Sequence, residues 1–594
     1  MILKNKKGMA LILGLFLLTL LMGFATLLVL RTVNENKIAT LERNMNKALY
    51  LAEAGTQKGL YELSGLINTH VRKTAMDATP NTFVNTTETK VTQKDNIGWL
   101  FTYSFDGQTQ LLTKSGSNLI YPLGSTNFGD GTYQINIVIS KKPVGGDPIT
   151  VKAHEKWKFP YAFTIQSTGT VAGVTRKVKI SGDFTVNPQK DNFAKYALFT
   201  DHQYLPGSQD PNQVANRVWF NKNTFFTGPM HSNDQFNFAG NPGPVFYNDL
   251  THPEIEVDMT QHLSKAWFYN NNNKAFQADA SSNLQIDTPV FYSTYTRGED
   301  LINLESSIQK ADLSTQATYG GGNVNNNGIY IPNDGTKVTG GIYINRKTGN
   351  NFVSIQMAAD NNGKATYTVV ENGTTKNIIV DTVNKTTKIT QSGKSDINLT
   401  GMPNGKDGVG VIIYAQGQID SLSGTVQKNS QVTISGDSDI IITNHIQYQV
   451  CTASSGTLGQ AGYIPPHVDM DEASNLLGIL SWGGNIRIGT TAPDNLNVQA
   501  ILMARNGIVA VDNYDDQNVG PRGTVNLLGG VISDFYGAFN TFNNSGLVSG
   551  YGRNFNYDDR TLLGQSPPYF PSLNTFIAYT TDIADKLVWQ EGGF

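Results

Sequence analysis

Few stretches of this 594-residue chain gather side chains able to do chemistry. His467 to Asp471 (HVDMD) alternates possible ligands along one side of an extended segment, and Asp512 to Asp516 (DNYDD) clusters carboxylates as calcium loops do. Neither follows the ligand order of an EF-hand, and both read as solvated turns. Lys406 in MPNGKDG and Lys394 in QSGKS resemble phosphate loops, but each lacks the required spacing from a first glycine and opens no evident helix. The chain contains no nucleophile elbow, no HExxH and no dinucleotide fingerprint after a strand. Its one cysteine, Cys451, reads as a lone, partly buried thiol. No catalytic residue, metal or cofactor is assigned. Paired carboxylates for glycoside hydrolysis cannot be located by spacing when the partners sit on successive coils, so an enzyme stays open as an alternative.

The best candidate for a specific structural or binding element is GPMHSN, Gly228 to Asn233. Gly228 and Pro229 predict a turn that exposes His231 and Asn233. A tight corner between coils is the other reading of the same residues.

Composition limits what these residues can serve. The net charge is −3 with a pI near 6.3, charged residues make up 16%, and the signs are interspersed, so no basic face advertises nucleic acid. With 59 glycines and abundant asparagine, the chain favours turn-rich β structure with polar, uncharged loops. A single cysteine allows no intramolecular disulfide, which leaves the fold to its core.

The N-terminus is organised differently. Lys4, Lys6 and Lys7 precede a stretch from Met9 to Leu30 without a charged side chain. As a helix it is about 33 Å long, enough to cross a hydrocarbon core of about 30 Å. Beyond Arg31, the residues Val33, Ile38, Leu41, Met45, Ala48, Leu49 and Ala52 predict that the helix continues with one apolar stripe, over residues 9–66 in all. The positive-inside bias keeps the short N-terminus in the cytoplasm and exports the rest.

This arrangement resembles a type IV prepilin, with a basic leader over residues 1–8 ending in Gly8 and a cleavage point before Met9. ALYLAEAGTQKGL, Ala48 to Leu60, resembles the PilX-type minor pilins, in which an Ala-Glu-Ala motif carrying Glu53 precedes a small residue. The resemblance implies processing by a prepilin peptidase, an inner-membrane precursor, contact with other pilins through the helix, and display at the cell surface. Major pilins carry a glutamate at the fifth mature position, where this chain has Leu13. An unpaired charge in an apolar filament core is costly, so a subunit lacking the acid suits the tip or the initiating complex.

The remaining chain predicts a mainly β fold. Alternating stretches around Tyr133 to Ile139 and Val178 to Phe184 predict an antiparallel sheet over residues 67–187, packed on the helix as a pilin-like module. STGTVAGVTR reads as a hairpin with Gly169 and Gly173 near the reversal. Over residues 188–545, VIIYAQGQI (Val411 to Ile419), GILSWGGNI (Gly478 to Ile486) and AILMARNGI (Ala500 to Ile508) align with one another. Similarity at steps near twenty residues predicts a β-solenoid, a single sheet or sandwich being the alternative. Residues 320–400 read as an insertion, and 546–594 as an irregular C-terminal segment. VWFNKNTFFTGPMHSNDQFNFAGNPGPVFY (Val218 to Tyr247), with YDDR (Tyr557 to Arg560) and PPYFP (Pro567 to Pro571), resembles a large uncharacterised β-rich domain often joined to PilX-type N-termini.

The expected function is a minor pilin-like subunit that displays a β-rich body, with a surface or a glycan as ligand. The alternatives are a membrane-anchored β-solenoid enzyme acting on polysaccharide and a static envelope protein.

Overall fold

This computed structural model describes residues 6–67, 113–115, 118–141, 159–207, 218–220, 224–234, 236–238, 243–252, 267–270, 275–278, 289–297, 299–304, 307–346, 352–543, 546–580 and 587–592. The polar segment from His70 to Asn96 and the stretch beginning at Trp99 lie outside the described residues. The chain is mainly β with one long N-terminal helix. It divides into two compact units, Met1–Gln189 with Thr575–Phe594, and Lys190–Asn574. In the order of the chain, the second is therefore an insertion into the first.

In the first unit, helix α1 (Lys6–Leu66) runs 61 residues, about 90 Å. No proline interrupts it, and leucine, alanine, methionine and lysine supply strong helix formers. Its apolar side chains from Met9 to Leu30 are exposed, and the helix is long and apolar enough to cross a membrane. Strands β1 (Thr113–Ser115), β2 (Asn118–Phe128), β3 (Gly131–Lys141), β4 (Phe159–Val171) and β5 (Val174–Asn192) pair antiparallel in that order, and the C-terminal strand Val588–Glu591 pairs antiparallel with β5.

The helix meets this sheet through its last third. Ala48, Leu51, Leu63 and Leu66 form one core with Ile135, Ile137, Phe163, Ile165 and Phe184. The apolar stripe was expected to engage earlier, but Val33, Ile38 and Leu41 are exposed and burial starts near Ala48. Small residues permit the approach. A β-carbon on Gly59 would lie 2.6 Å from Ile165, and one on Gly169 would lie 2.7 Å from the Ala52 nitrogen. Gly169 thus belongs to the helix contact and not to the reversal. The two-residue turn joining β4 to β5 is Ala172–Gly173, both at positive φ.

The second unit is built on parallel pairing. One row of register partners runs Ile342, Ile413, Ile434, Ile479, Leu502, Val531, Leu198, Met230, Leu250, Tyr295. All but Tyr295 are buried, which is why short aliphatic runs recur in the sequence. The three aligned nonamers supply rungs of this ladder. A second row, Ile440, Ile486 and Val509, continues from Ile419. Farther round, Phe555, Phe226, Phe246 and Phe291 occupy successive strands, and the rings of Phe226 and Phe246 lie 6.3 Å apart and nearly parallel.

Rung order differs from chain order. The chain enters the ladder in its interior at Leu198, climbs to Tyr295, and resumes at Ile342 on the opposite end. It then returns rung by rung until Val531 pairs with Leu198. The helix Ser307–Thr318, with Leu313 and Ala317 buried, intervenes between the two ends. Within the expected insertion, Val353–Ala359, Lys364–Glu371, Thr374–Asp381, Thr386–Gln391 and Ile397–Thr400 form an antiparallel meander.

The region expected to be irregular, 546–594, contains the strands Gly546–Asn556, Ser572–Thr580 and Val588–Glu591. PPYFP straps the ladder. β-Carbons on Gly478 would sit 2.8 Å from both Phe570 and Pro567, Tyr569 donates its hydroxyl to Asp407 at 3.0 Å, and the Phe193 amide donates to the Pro571 carbonyl.

Candidate functional site

The seam where Leu198–His202 joins Pro521–Phe535 brings together the residues singled out by sequence and several that were not. His231, expected to be exposed, is buried on the strand Met230–Ser232, with its ring stacked on Phe199 at 5.5 Å. Parallel pairing on both sides of that strand removes it from solvent, so Gly228 and Pro229 lead into a rung and not out to a surface turn. His231 Nε2 lies 3.0 Å from Asn233 Oδ1, and Nδ1 lies 2.9 Å from the Thr251 hydroxyl. Asn233 Oδ1 can only accept, so in a neutral ring Nε2 carries the proton.

Asn233 is buried as well and works as a tie. Its Nδ2 donates to Asp201 Oδ1 at 2.6 Å and to the Ile302 carbonyl at 2.7 Å, while its Oδ1 accepts from the Ile302 amide at 2.9 Å. Pro229 accepts from the Ala197 amide. The GPMHSN residues thus form a structural knot whose polar groups are satisfied internally.

Beside the knot, Asp201, His202 and Asp534 converge, with one ligand-type atom from each within 4.8 Å of the others. Sequence reasoning missed them because His202 and Asp534 are 332 residues apart. His202 Nδ1 lies 2.9 Å from Asp534 Oδ1 and 3.8 Å from Asp201 Oδ2, and the ring stacks on Phe535 at 4.5 Å. The hydrogen bond to Asp534 raises the His202 pKa against the opposing effect of burial. An imidazole with two carboxylates suits a divalent cation, but such an ion would have to replace the hydrogen bond Asp534 already makes. The group as it stands is a hydrogen-bonded histidine–carboxylate pair.

YDDR adds a buried ion pair. Arg560 donates through Nε and Nη2 to the two carboxylate oxygens of Asp558 at 2.8 and 2.6 Å, and through Nη1 to the Asn475 carbonyl at 2.6 Å. Both side chains are about 1% exposed.

The other sequence candidates stay local. Asp469 accepts from the Asp471 amide, Asp512 pairs with Arg487, and Asp516 accepts from the Asn518 amide. Among the described residues, neither HVDMD nor DNYDD forms a convergent ligand set. Lys394 lies between two antiparallel strands, and Lys406 lies over the Tyr319 ring at 5.3 Å. Cys451 is half-buried, and burial pushes its pKa up, away from a reactive thiolate. In the helix, Gly8, Met9, Leu13 and Glu53 are exposed, whereas Ala52 and Gly55 beside Glu53 face the sheet.

Residues 157–253 match the family model described as a domain of unknown function, DUF4900. That stretch runs from β4 and β5 through the GPMHSN knot. No curated protein matches the chain. Among solved structures, the crystal structure of the competence-associated pilin ComZ from Thermus thermophilus is similar at 11% identity and a TM-score of 0.31, over 93% of this chain and 98% of that one.

Proposed function

We propose that the chain is a minor pilin-like subunit of a type IV pilus or related filament, of the PilX-type N-terminal class, carrying its second unit as a displayed β-solenoid body. The observation that carries this reading is the division of labour along α1. One end is a fully exposed apolar rod, and the other is packed by small residues onto an antiparallel sheet. An apolar helix left uncovered by its own chain needs lipid or other helices around it. A pilin uses both in turn, the inner membrane first and sister helices after assembly.

On this reading a prepilin peptidase cleaves between Gly8 and Met9. Leu13, at the fifth position of the product, cannot neutralise a neighbour's amine, which favours the tip or initiating complex over the shaft. The parallel ladder supports the solenoid reading of the body, because successive short strands stack with their aliphatic residues in register.

The test is mass spectrometry of the protein from its native cells, alongside a Gly8→Glu variant, with immunoblots of sheared filaments. Expected are a mature N-terminus at Met9, an uncleaved variant, and wild-type protein in the sheared fraction. An intact Met1 terminus in the native protein overturns the proposal.

A further inference from the structure

Two cavities, of about 600 and 430 Å³, lie on the ladder of the second unit and share Asn526 and Asn554 in their walls. They form one groove. Its floor is a row of register partners, Asn497, Asn526 and Asn554, contributed by the strands Asn497–Ala504, Pro521–Phe535 and Gly546–Asn556. Alternation fixes the side: Val498, Leu527 and Phe555 are buried toward the core, so the asparagines one position before them point outward.

The amides are chained. Asn526 Nδ2 donates to Asn497 Oδ1 at 3.1 Å, Asn554 Nδ2 to Asn526 Oδ1 at 3.2 Å, and Asn556 Nδ2 to Asn554 Oδ1 at 3.1 Å. A primary amide has two N–H donors and two acceptor lone pairs. The chain uses one of each on Asn526 and Asn554, leaving each a donor and an acceptor for a ligand. This pair recurs at the strand spacing, about 4.8 Å. Phe225 and Phe542 line the larger cavity, and Gln447 and Gln499 extend the amides into the smaller one. Among the described residues, neither cavity is lined by a carboxylate or a lysine. Arg553, which borders the larger one, is held over the Tyr536 ring and donates to its hydroxyl.

We infer that this groove binds a neutral, linear oligosaccharide. Repeating donor–acceptor pairs match vicinal hydroxyls, which both give and accept hydrogen bonds. The strand spacing is close to the advance per sugar along an extended chain, and the phenylalanine faces suit the apolar faces of pyranose rings. Without a carboxylate pair the groove holds its ligand and does not hydrolyse it. The inference rests on the proposed display role by giving the body a ligand class, but the binding itself needs no filament.

The experiment uses the full chain, purified in a detergent without a sugar head group. Titration calorimetry with maltohexaose, cellohexaose and chitohexaose is run against hexagalacturonate as the charged control. At least one neutral hexamer is expected to bind with a Kd of about 1 mM or tighter, and to slow alkylation of Cys451, which lines the smaller cavity. Gly552→Trp should weaken binding about tenfold or more. A β-carbon there meets nothing closer than 3.4 Å, so the indole fills the groove without disturbing the strand. Asn526→Leu should weaken it similarly, with melting temperatures reported for both variants.

The inference is overturned if no neutral hexamer binds, if hexagalacturonate binds more tightly, or if the folded Gly552→Trp protein binds like wild type. Because the assay uses isolated protein, any of these results leaves the filament reading standing. An intact Met1 terminus would in turn leave the groove standing.

Discussion

The ring of Tyr557 occupies the space a β-carbon on Gly228 would need, so GPMHSN and YDDR, more than 300 residues apart in sequence, are two halves of one contact. The ring has little room to yield. The Tyr557 hydroxyl donates to the Lys195 carbonyl at 2.9 Å, and its amide donates to the Thr227 hydroxyl at 2.8 Å.

Gly228→Ala should therefore destabilise the second unit by about 1–3 kcal/mol through overpacking. Urea unfolding measures this. In a double-mutant cycle with Tyr557→Gly, which removes the ring and the Tyr557 β-carbon that both crowd position 228, the pair should lose less than the sum of the single variants. Strict additivity would contradict the contact.

The Asp558–Arg560 pair predicts an asymmetry. Arg560→Met leaves a carboxylate buried without its bidentate partner and should cost about 3–5 kcal/mol, whereas replacing both with apolar residues of similar volume should cost much less. Equal losses for the single and the double replacement would show that packing, and not the stranded charge, sets the cost. Arg560→Lys should fall between wild type and Arg560→Met, since an ammonium keeps a charge for Asp558 but cannot reproduce the two parallel bonds.

In the first unit, Gly169→Val should loosen the helix from the sheet. Its β-carbon would collide with the Ala48 carbonyl oxygen and crowd the Ala52 nitrogen, both backbone atoms of α1 that cannot rotate away. A loss of about 1–3 kcal/mol is expected. Faster amide exchange over Ala48 to Gly59 should accompany it, with the second unit's exchange unchanged.

What the sequence disclosed follows from how local each signal was. The apolar run to Leu30 and the alternation through Ile135 and Ile137 are set by neighbours in the chain, so period and length suffice to read them. The aligned nonamers contain Ile413, Ile479 and Leu502, which share one row in the ladder. The insertion of Leu198 beside Val531 could not be read, because pairing between strands hundreds of residues apart leaves no periodic trace. For the same reason the burial of His231 is not legible in sequence: glycine and proline before it look like a surface turn until strands are known to flank it on both sides. The row Asn497, Asn526 and Asn554 was open to detection, as each precedes a buried apolar residue in a comparable strand, but aliphatic similarity dominates such an alignment.

The seam itself should respond to pH. His202 binds its proton more tightly in the folded chain than in the unfolded one. The hydrogen bond to Asp534 is the largest cause, burial opposes it, and the carboxylates of Asp201, Asp534 and Asp234 add to it. A raised pKa contributes stability that is fully present below the unfolded value of about 6.5 and is lost as pH rises through the higher folded value. The melting temperature should accordingly fall on going from about pH 6 to about pH 8.5. The slope should be modest, because the His202 side chain is 36% exposed and solvent screens the pair. His202→Gln and Asp534→Asn should each flatten it. The same pH change should lower amide protection, corrected for the intrinsic pH dependence of exchange, at Val531 to Asp534, where Pro521–Phe535 closes onto Leu198–His202. A wild-type slope that survives in both variants would place the titrating group elsewhere.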